Sequence, residues 1–456
     1  RPERGSAVAQ YMAGRRRALG GPLPQRVVRP KVLDAPQEST FRDLLGGSGT
    51  QAASTTMAFS RLLRSLIRDP SVGSRIVPIV PDEARTFGLE SIISEARIYA
   101  PEGQRYTPVD AGLALNYAES ESGQVLEEGI SEAGATAAFT AAATSYATWG
   151  EPLIPCYLFY SMFGFQRVGD LLWALGDMRG RGFLLGCTAG RTTLNGEGLQ
   201  HQDGHSLLLA SVVPSVVAYD PAFAYEVATI MEDGIKRITG PNPEDRYWYL
   251  TLYNENYPMP ALPTVPAEAE RVQQGIINGL YRFTEAPEVE GGQHATILFS
   301  GSAWKAALEA RDILAADWGV AADTWSVTSY KSLREEALSA DRWNRLHPGS
   351  DRRVPLVAQS LADGTGPVVA VTDFIRSVPD QVARWVPRPF SSLGTDGFGR
   401  SDTRDTLRRF FEVDTAHIVV AVLAGLAETG AVSDQVVADA IARFGIDGST
   451  VDPWTC

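Results

Sequence analysis

Short apolar runs without polar alternation, separated by stretches of helical periodicity, leave a chain few ways to fold. Residues 75–80, 153–160, 182–186, 212–219 and 247–253 are such runs, with helix-like patterns between them. A strand that is apolar on both faces must be covered on both faces, which is the condition of a parallel sheet with crossover helices on either side. Residues 54–265 are therefore predicted to form a doubly wound α/β domain. Its first helix is marked by Phe59, Leu62, Leu63, Leu66 and Ile67, which recur at helical spacing.

A second cycle begins at 295–300 and continues through the strand-like runs 354–361 and 368–371. Helical patterns follow around 418–426 and 433–444, and Ser433 is placed to N-cap the last of them. This predicts a second, smaller α/β domain over 290–456, joined to the first by a Pro/Glu/Gly-rich linker, 266–289. The first 53 residues read as a basic arm. Residues 1–50 hold nine Lys/Arg against four Asp/Glu, a net +5 in a chain of 41 − 54 = −13, and Pro22, Pro24, Pro30 and Pro36 interrupt any long helix. Arg15-Arg16-Arg17 is a solvated charge run or a basic docking patch.

The acidic balance disfavours general nucleic-acid binding, because phosphate backbones are repelled by it. No run approaches the roughly 18 apolar residues of a membrane span, and no apolar signal core follows the N-terminal charges. Cys156, Cys187 and Cys456 are odd in number and widely spaced. Neither a disulfide framework nor a cysteine zinc site is expected, and a reducing cytoplasm is the expected compartment.

Ligands of parallel sheets bind beyond the carboxyl ends of the strands. Three polar clusters fall at such positions: Asp82-Glu83 with Arg85, Tyr160-Ser161-Met162-Phe163, and the segment 196–205, which contains Glu197, His201, Asp203 and His205. Histidines titrating near neutral pH suit general acid/base chemistry, while loop-bracing hydrogen bonds or metal ligation from i, i+4 positions are the other readings of His201 and His205. Residues 129–138 form a small-residue helix with one carboxylate, Glu132, near its start. Such surroundings partly desolvate a carboxylate and raise its pKa, so Glu132 is a candidate proton-relay acid; a glutamate serving the helix dipole is the alternative. The segment 394–400, Gly-Thr-Asp-Gly-Phe-Gly-Arg, lacks the Lys-Ser/Thr of a phosphate loop and reads as a tight turn.

Longer blocks carry a resemblance: PDEARTFG at 81–88, GQVLEEGISEAG at 123–134, YSMFGFQRVGDLLWA at 160–174, RGFLLGCTAGRTTLNGEGLQHQDGHS at 181–206 and YDPAFAYEVATIMEDG at 219–234. In these the chain closely resembles the homodimeric bacterial pyruvate dehydrogenase family, and the likeness extends over nearly all of residues 40–450. The resemblance implies a transketolase-like fold represented by its pyrimidine-binding and C-terminal domains. It implies thiamine diphosphate as cofactor, with magnesium and the diphosphate held by another domain or chain. Glu132 matches the glutamate that hydrogen-bonds the aminopyrimidine, Phe163 the aromatic packed on that ring, and Tyr160 a nearby tyrosine. His201 matches the active-centre histidine, with Glu197 and His205 in the same loop, and Glu83 and Asp110 match acidic residues of the site. The family's His-Glu-Asp-Gly-His-Ser-His run is here His201-Gln202-Asp203-Gly204-His205-Ser206-Leu207, one acid and one histidine short.

The expected activity is decarboxylation of pyruvate with transfer of the acetyl unit to a lipoyl acyltransferase. The expected assembly is a homodimer, or a heterotetramer of half-pairs completed by a diphosphate-binding half. A split transketolase-like enzyme passing a two-carbon ketol unit to another acceptor such as a carrier protein, and an inactive assembly module, are the alternatives.

Overall fold

The computed structural model describes residues 1–18, 28, 30–81, 84–109 and 117–456. Two mixed α/β layers account for the architecture. The first sheet has six strands, β1 (Ile76–Val80), β2 (Leu126–Glu127), β3 (Ile154–Tyr160), β4 (Gly182–Cys187), β5 (Val216–Tyr219) and β6 (Tyr247–Thr251), in the spatial order β2-β1-β3-β4-β6-β5. All of its pairings are parallel, as the continuous apolar runs require. Helices α1 (Thr55–Arg68), α2 (Glu132–Ala143), α3 (Phe165–Asp177), α4 (Ser206–Ser211) and α5 (Ala224–Thr239) flank it. The run 212–219 is strand only from Val216, because α4 occupies residues 206–211 and the chain turns between them.

The segment expected as a linker is structured. Residues Pro266–Asn278 form α6, with Pro266 in its first turn, and Tyr281–Thr284 form β7. Strand β7 pairs antiparallel with β9 (Val320–Ser326), and the second sheet runs β7-β9-β8-β10-β11, where β8 is Gln293–Phe299, β10 is Val368–Val371 and β11 is Phe390–Leu393. Polar residues in both segments hide the pattern: only one face of β7 is packed, so it lacks the apolar run of a central strand. The run 354–361, expected as a strand, is the short helix Leu356–Ser360. Helices α7 (Trp304–Trp318), α8 (Tyr330–Leu346), α9 (Arg404–Phe410), α10 (Thr415–Glu428) and α11 (Asp434–Arg443) complete this half. Ser433 stands at the N-cap of α11 but its side chain makes no capping hydrogen bond. The segment Arg404–Glu428 is long and apolar enough, by length and composition, to cross a membrane, contrary to the sequence reading. It is divided into α9 and α10, and Ile418, Val419, Val422, Leu423 and Leu426 are buried in the protein core.

The basic arm is only partly an arm. A helix over Ala7–Ala18 buries nothing, but Phe41 and Leu44 enter the main core. Pro22 and Pro24 lie outside the described residues. Cys156 on β3 and Cys187 on β4 are buried and unpaired, and burial alone pushes the Cys156 thiol up to about 12 and raises that of Cys187. Cys456 is exposed and lines a cleft with Leu199, Phe398 and Arg400.

The two sheets meet across buried polar groups. Glu226 on α5 accepts from the backbone N–H groups of Ala222 (2.5 Å) and Phe223 (3.1 Å) through Oε2, and from the hydroxyls of Tyr281 (2.6 Å) on β7 and Ser326 (2.7 Å) on β9 through Oε1. Asp373, after β10, accepts from the N–H of Thr192 (3.0 Å) and from the Ser302 hydroxyl (3.2 Å). Removing the acceptor in Glu226→Ala takes it from four buried donors, of which only the Tyr281 hydroxyl keeps another partner, Tyr225. The variant is expected to lose roughly 3–5 kcal/mol in denaturant unfolding, well beyond the effect of Glu226→Gln, whose amide retains part of the pattern.

Burial pushes the Asp373 carboxyl up to about 6, against the downward pull of Arg408 and of the Thr192 and Ser302 hydrogen bonds. That is above the ~3.9 of an unfolded chain, so the stabilisation linked to its proton is complete below about pH 4 and lost as pH rises through the folded value. Thermal melting from about pH 4 to 8 should show this loss in the wild-type chain and not in Asp373→Asn.

Candidate active site

Strands β2, β1, β3 and β4 are consecutive in the first sheet and parallel, so the segments after their carboxyl ends lie side by side. These are the turn into α2, residues 81 and 84–89, the 3-10 turn Ser161–Phe163, and the loop 188–205. Residues distant in sequence become neighbours for that reason alone.

Ser131 caps α2 by accepting from Gly134 N–H (3.1 Å), which makes Glu132 the first helical residue. Its side chain is only 10% exposed, and Arg167 Nη1 on α3 donates to both carboxylate oxygens, at 2.9 and 3.0 Å. The same guanidinium lies 4.2 Å from the centroid of the Phe163 ring. Phe163 meets the His201 ring at 5.3 Å, His201 meets Tyr160 at 4.9 Å, and Tyr160 meets Phe87 at 5.3 Å. A carboxylate, a guanidinium and four rings thus form one strip along the sheet edge.

His201 closes the 3-10 turn Leu199–His201, and His205 is the residue before α4. They do not share a helical face, so the i, i+4 metal geometry is not formed. His201 Nδ1 is buried with no hydrogen-bond partner; Glu197 Oε2 is 3.8 Å away, beyond bonding distance, on a half-exposed side chain. His205 instead braces the loop: its Nε2 bonds Gln166 Oε1 at 2.5 Å and its N–H donates to Asp203 Oδ1 at 2.9 Å. Glu83 and Asp110 lie outside the described residues.

Sequence reasoning missed Arg167, Gln166 and Phe87. Arg167 had one available signal: it is the only cation in the aromatic-rich block 160–174, four residues after Phe163. A buried carboxylate beside open aromatic faces, with an imidazole nitrogen left unshared, suits a flat heteroaromatic ring bearing nitrogen donors.

Comparison with known proteins gives the family and the fold. Residues 32–260 match the family model of the pyruvate dehydrogenase E1 component middle domain, and residues 279–414 that of the transketolase-like C-terminal domain. The pyruvate dehydrogenase E1 component of Mycolicibacterium smegmatis is 53% identical over 96% of this chain and 46% of its own length. Those of Pseudomonas aeruginosa and Escherichia coli K12 are 48% and 47% identical over 100% and 98% of the chain, and over 51% and 50% of their own. The chain spans about half the length of these curated relatives.

Among solved structures, transketolase from Pichia stipitis with sedoheptulose-7-phosphate superposes with a TM-score of 0.60 at 14% identity, covering 87% of this chain and 49% of that one. A split-gene transketolase, described as an inactive beta4 tetramer, superposes at 0.54 with 19% identity, covering 83% of this chain and 99% of its own. At such identities the likeness concerns the fold, which is transketolase-like. With half of its residues matched by the middle-domain model and nearly all of it aligned to full-length relatives, the chain belongs to the pyruvate dehydrogenase E1 component family.

Proposed function

We propose that this chain is the half of a thiamine-diphosphate-dependent pyruvate dehydrogenase that holds the aminopyrimidine end of the cofactor. With a diphosphate-binding half it would decarboxylate pyruvate and pass the acetyl unit to the lipoyl group of a separate acyltransferase. The observation that carries this reading is the strip Glu132, Phe163, His201 and Tyr160 at the carboxyl edge of the parallel sheet. The 47–53% identity to pyruvate dehydrogenase components, against 14–19% to the transketolases, favours pyruvate over ketose phosphates.

When bound, thiamine diphosphate supplies a carbon nucleophile for the 2-oxo carbon and an electron sink for decarboxylation. Glu132 is suited to exchange a proton with a pyrimidine ring nitrogen, for which it must part from Arg167. That side chain is half exposed and can turn to water. Phe163 and Tyr160 offer apolar faces that exclude water from the ring, and His201 offers an uncommitted nitrogen toward the substrate side. His205 supports the loop that carries His201, and Glu197 is proposed for the cofactor side of the site from the resemblance. Asp110 and Glu83 are proposed for the same site from the resemblance, and magnesium and the phosphates are assigned to the other half. A cytoplasmic location is proposed on the three unpaired cysteines.

The chain alone is expected to leave pyruvate unconsumed in a steady-state assay with an artificial electron acceptor, and to become active when the diphosphate-binding half is added. Light scattering should show the active species as a symmetric dimer of half-pairs; turnover by a single half-pair, or of ketose phosphates in place of pyruvate, contradicts the proposal. In the reconstituted enzyme, Glu132→Gln is expected to lower turnover by roughly 10²- to 10⁴-fold while hardly moving the melting temperature, because the amide still accepts a bond from Arg167 and the pair is solvent-screened on the arginine side. A helix-dipole role for Glu132 would leave turnover intact.

A further inference from the structure

The loop that carries His201 is shaped from outside its own sheet. Residues 191–204 are met by a segment of the second half at five points. Asp373 accepts from Thr192 N–H (3.0 Å), Ile375 N–H donates to Gly204 O (2.8 Å), and Arg404 Nε donates to Thr193 O (2.8 Å). Arg400 N–H donates to Gln202 Oε1 (2.7 Å), and Arg191 donates to Thr395 O. Gln202, flanking His201, is buried and uses both ends of its amide, since Nε2 also donates to Leu194 O (3.1 Å).

The segment 394–400, which reads as a tight turn, supplies the closest approach. A Cβ on Gly399 would lie 2.7 Å from Leu199 O and 2.8 Å from Gln202 Cβ, and Leu199 opens the 3-10 turn that ends at His201. A glycine is therefore required there by proximity to a backbone in the other half of the molecule, not by its own backbone angles.

We propose that the second half of this chain is a template for the His201 loop, with Gly399, Arg404 and Asp373 as positioning residues for His201. This rests on the reading of His201 as a site residue, but the clamp can be tested apart from it. The chain has five histidines, and two of them, His294 at the start of β8 and His347 just after α8, lie outside the loop and the segments that meet it.

In the chain labelled with carbon-13 at histidine Cε1, Gly399→Ala and Arg404→Met are each expected to shift or broaden the His201 resonance, assigned with His201→Asn, while those of His294 and His347 stay in place. Arg404 is partly exposed, so its variant folds even if the added methyl at 399 proves too crowded. Phe398→Ala, at a solvent-facing neighbour, should leave His201 unmoved. In the complex with the diphosphate-binding half, Gly399→Ala and Arg404→Met should lower kcat about ten- to a hundredfold, the scale on which a displaced catalytic group costs rate, with melting shifted by only a few degrees. A His201 resonance identical to wild type in both variants overturns the template. A wild-type complex that fails to consume pyruvate overturns the functional reading instead, and the spectra still decide the template.

Discussion

A carboxylate without access to water has to find donors for both of its oxygens, and Glu226 finds them on both sides of the boundary between the two sheets. Two donors belong to the turn that starts its own helix and two to hydroxyls of β7 and β9. Burial raises the Glu226 pKa, and the four hydrogen bonds offset that cost. Such an arrangement is satisfied in one relative placement of the halves and in few others. Hydroxyl chemistry extends it: Tyr225 shares a hydrogen bond of 2.5 Å with Tyr281, and Tyr219 donates to Ile277 O across the same seam. Apolar packing brings the halves together, and these polar contacts select the register.

That register matters because the site lies where its consequences are felt. The parallel sheet delivers Glu132, Tyr160, Phe163 and His201 to one edge, but only the first three are held by short connections to strands or helices. His201 hangs from a long loop, and long loops need partners to adopt one conformation. The second half supplies them through Asp373, Ile375, Thr395, Arg400 and Arg404. The replacement of the family's acid by Gln202 has a physical reading in this light. An amide can donate to Leu194 O while accepting from Arg400 N–H, whereas a carboxylate can only accept.

Much of this was legible in the sequence where one force dominated. The buried parallel strands declared themselves because both faces are apolar, and α1 because Leu62, Leu63 and Leu66 share one face. The short edge strands at 126–127, 281–284 and 390–393 did not, since an edge strand half open to water has no distinctive run. Glu132 was visible as a lone carboxylate among small residues, but Arg167 was not visible as its partner, because an ion pair between two helices leaves no local pattern. Of the readings open for the histidine pair, ligation from one helical face is not formed, because the chain between them is not helical and Asp203 accepts from the N–H of Ser206, the first residue of the next helix, at 2.9 Å. Gly399 looked like a turn residue because its reason for being glycine sits on another segment.

The cysteines have a practical side. Thiol reagents attack the thiolate, and burial holds the Cys156 and Cys187 thiols protonated and out of reach on neighbouring strands. Cys456 is exposed at the rim of the cleft shared with Leu199 and Phe398, the residues on either side of the contact between the His201 loop and its template. A maleimide dye added to this chain would therefore attach at one position, beside that contact.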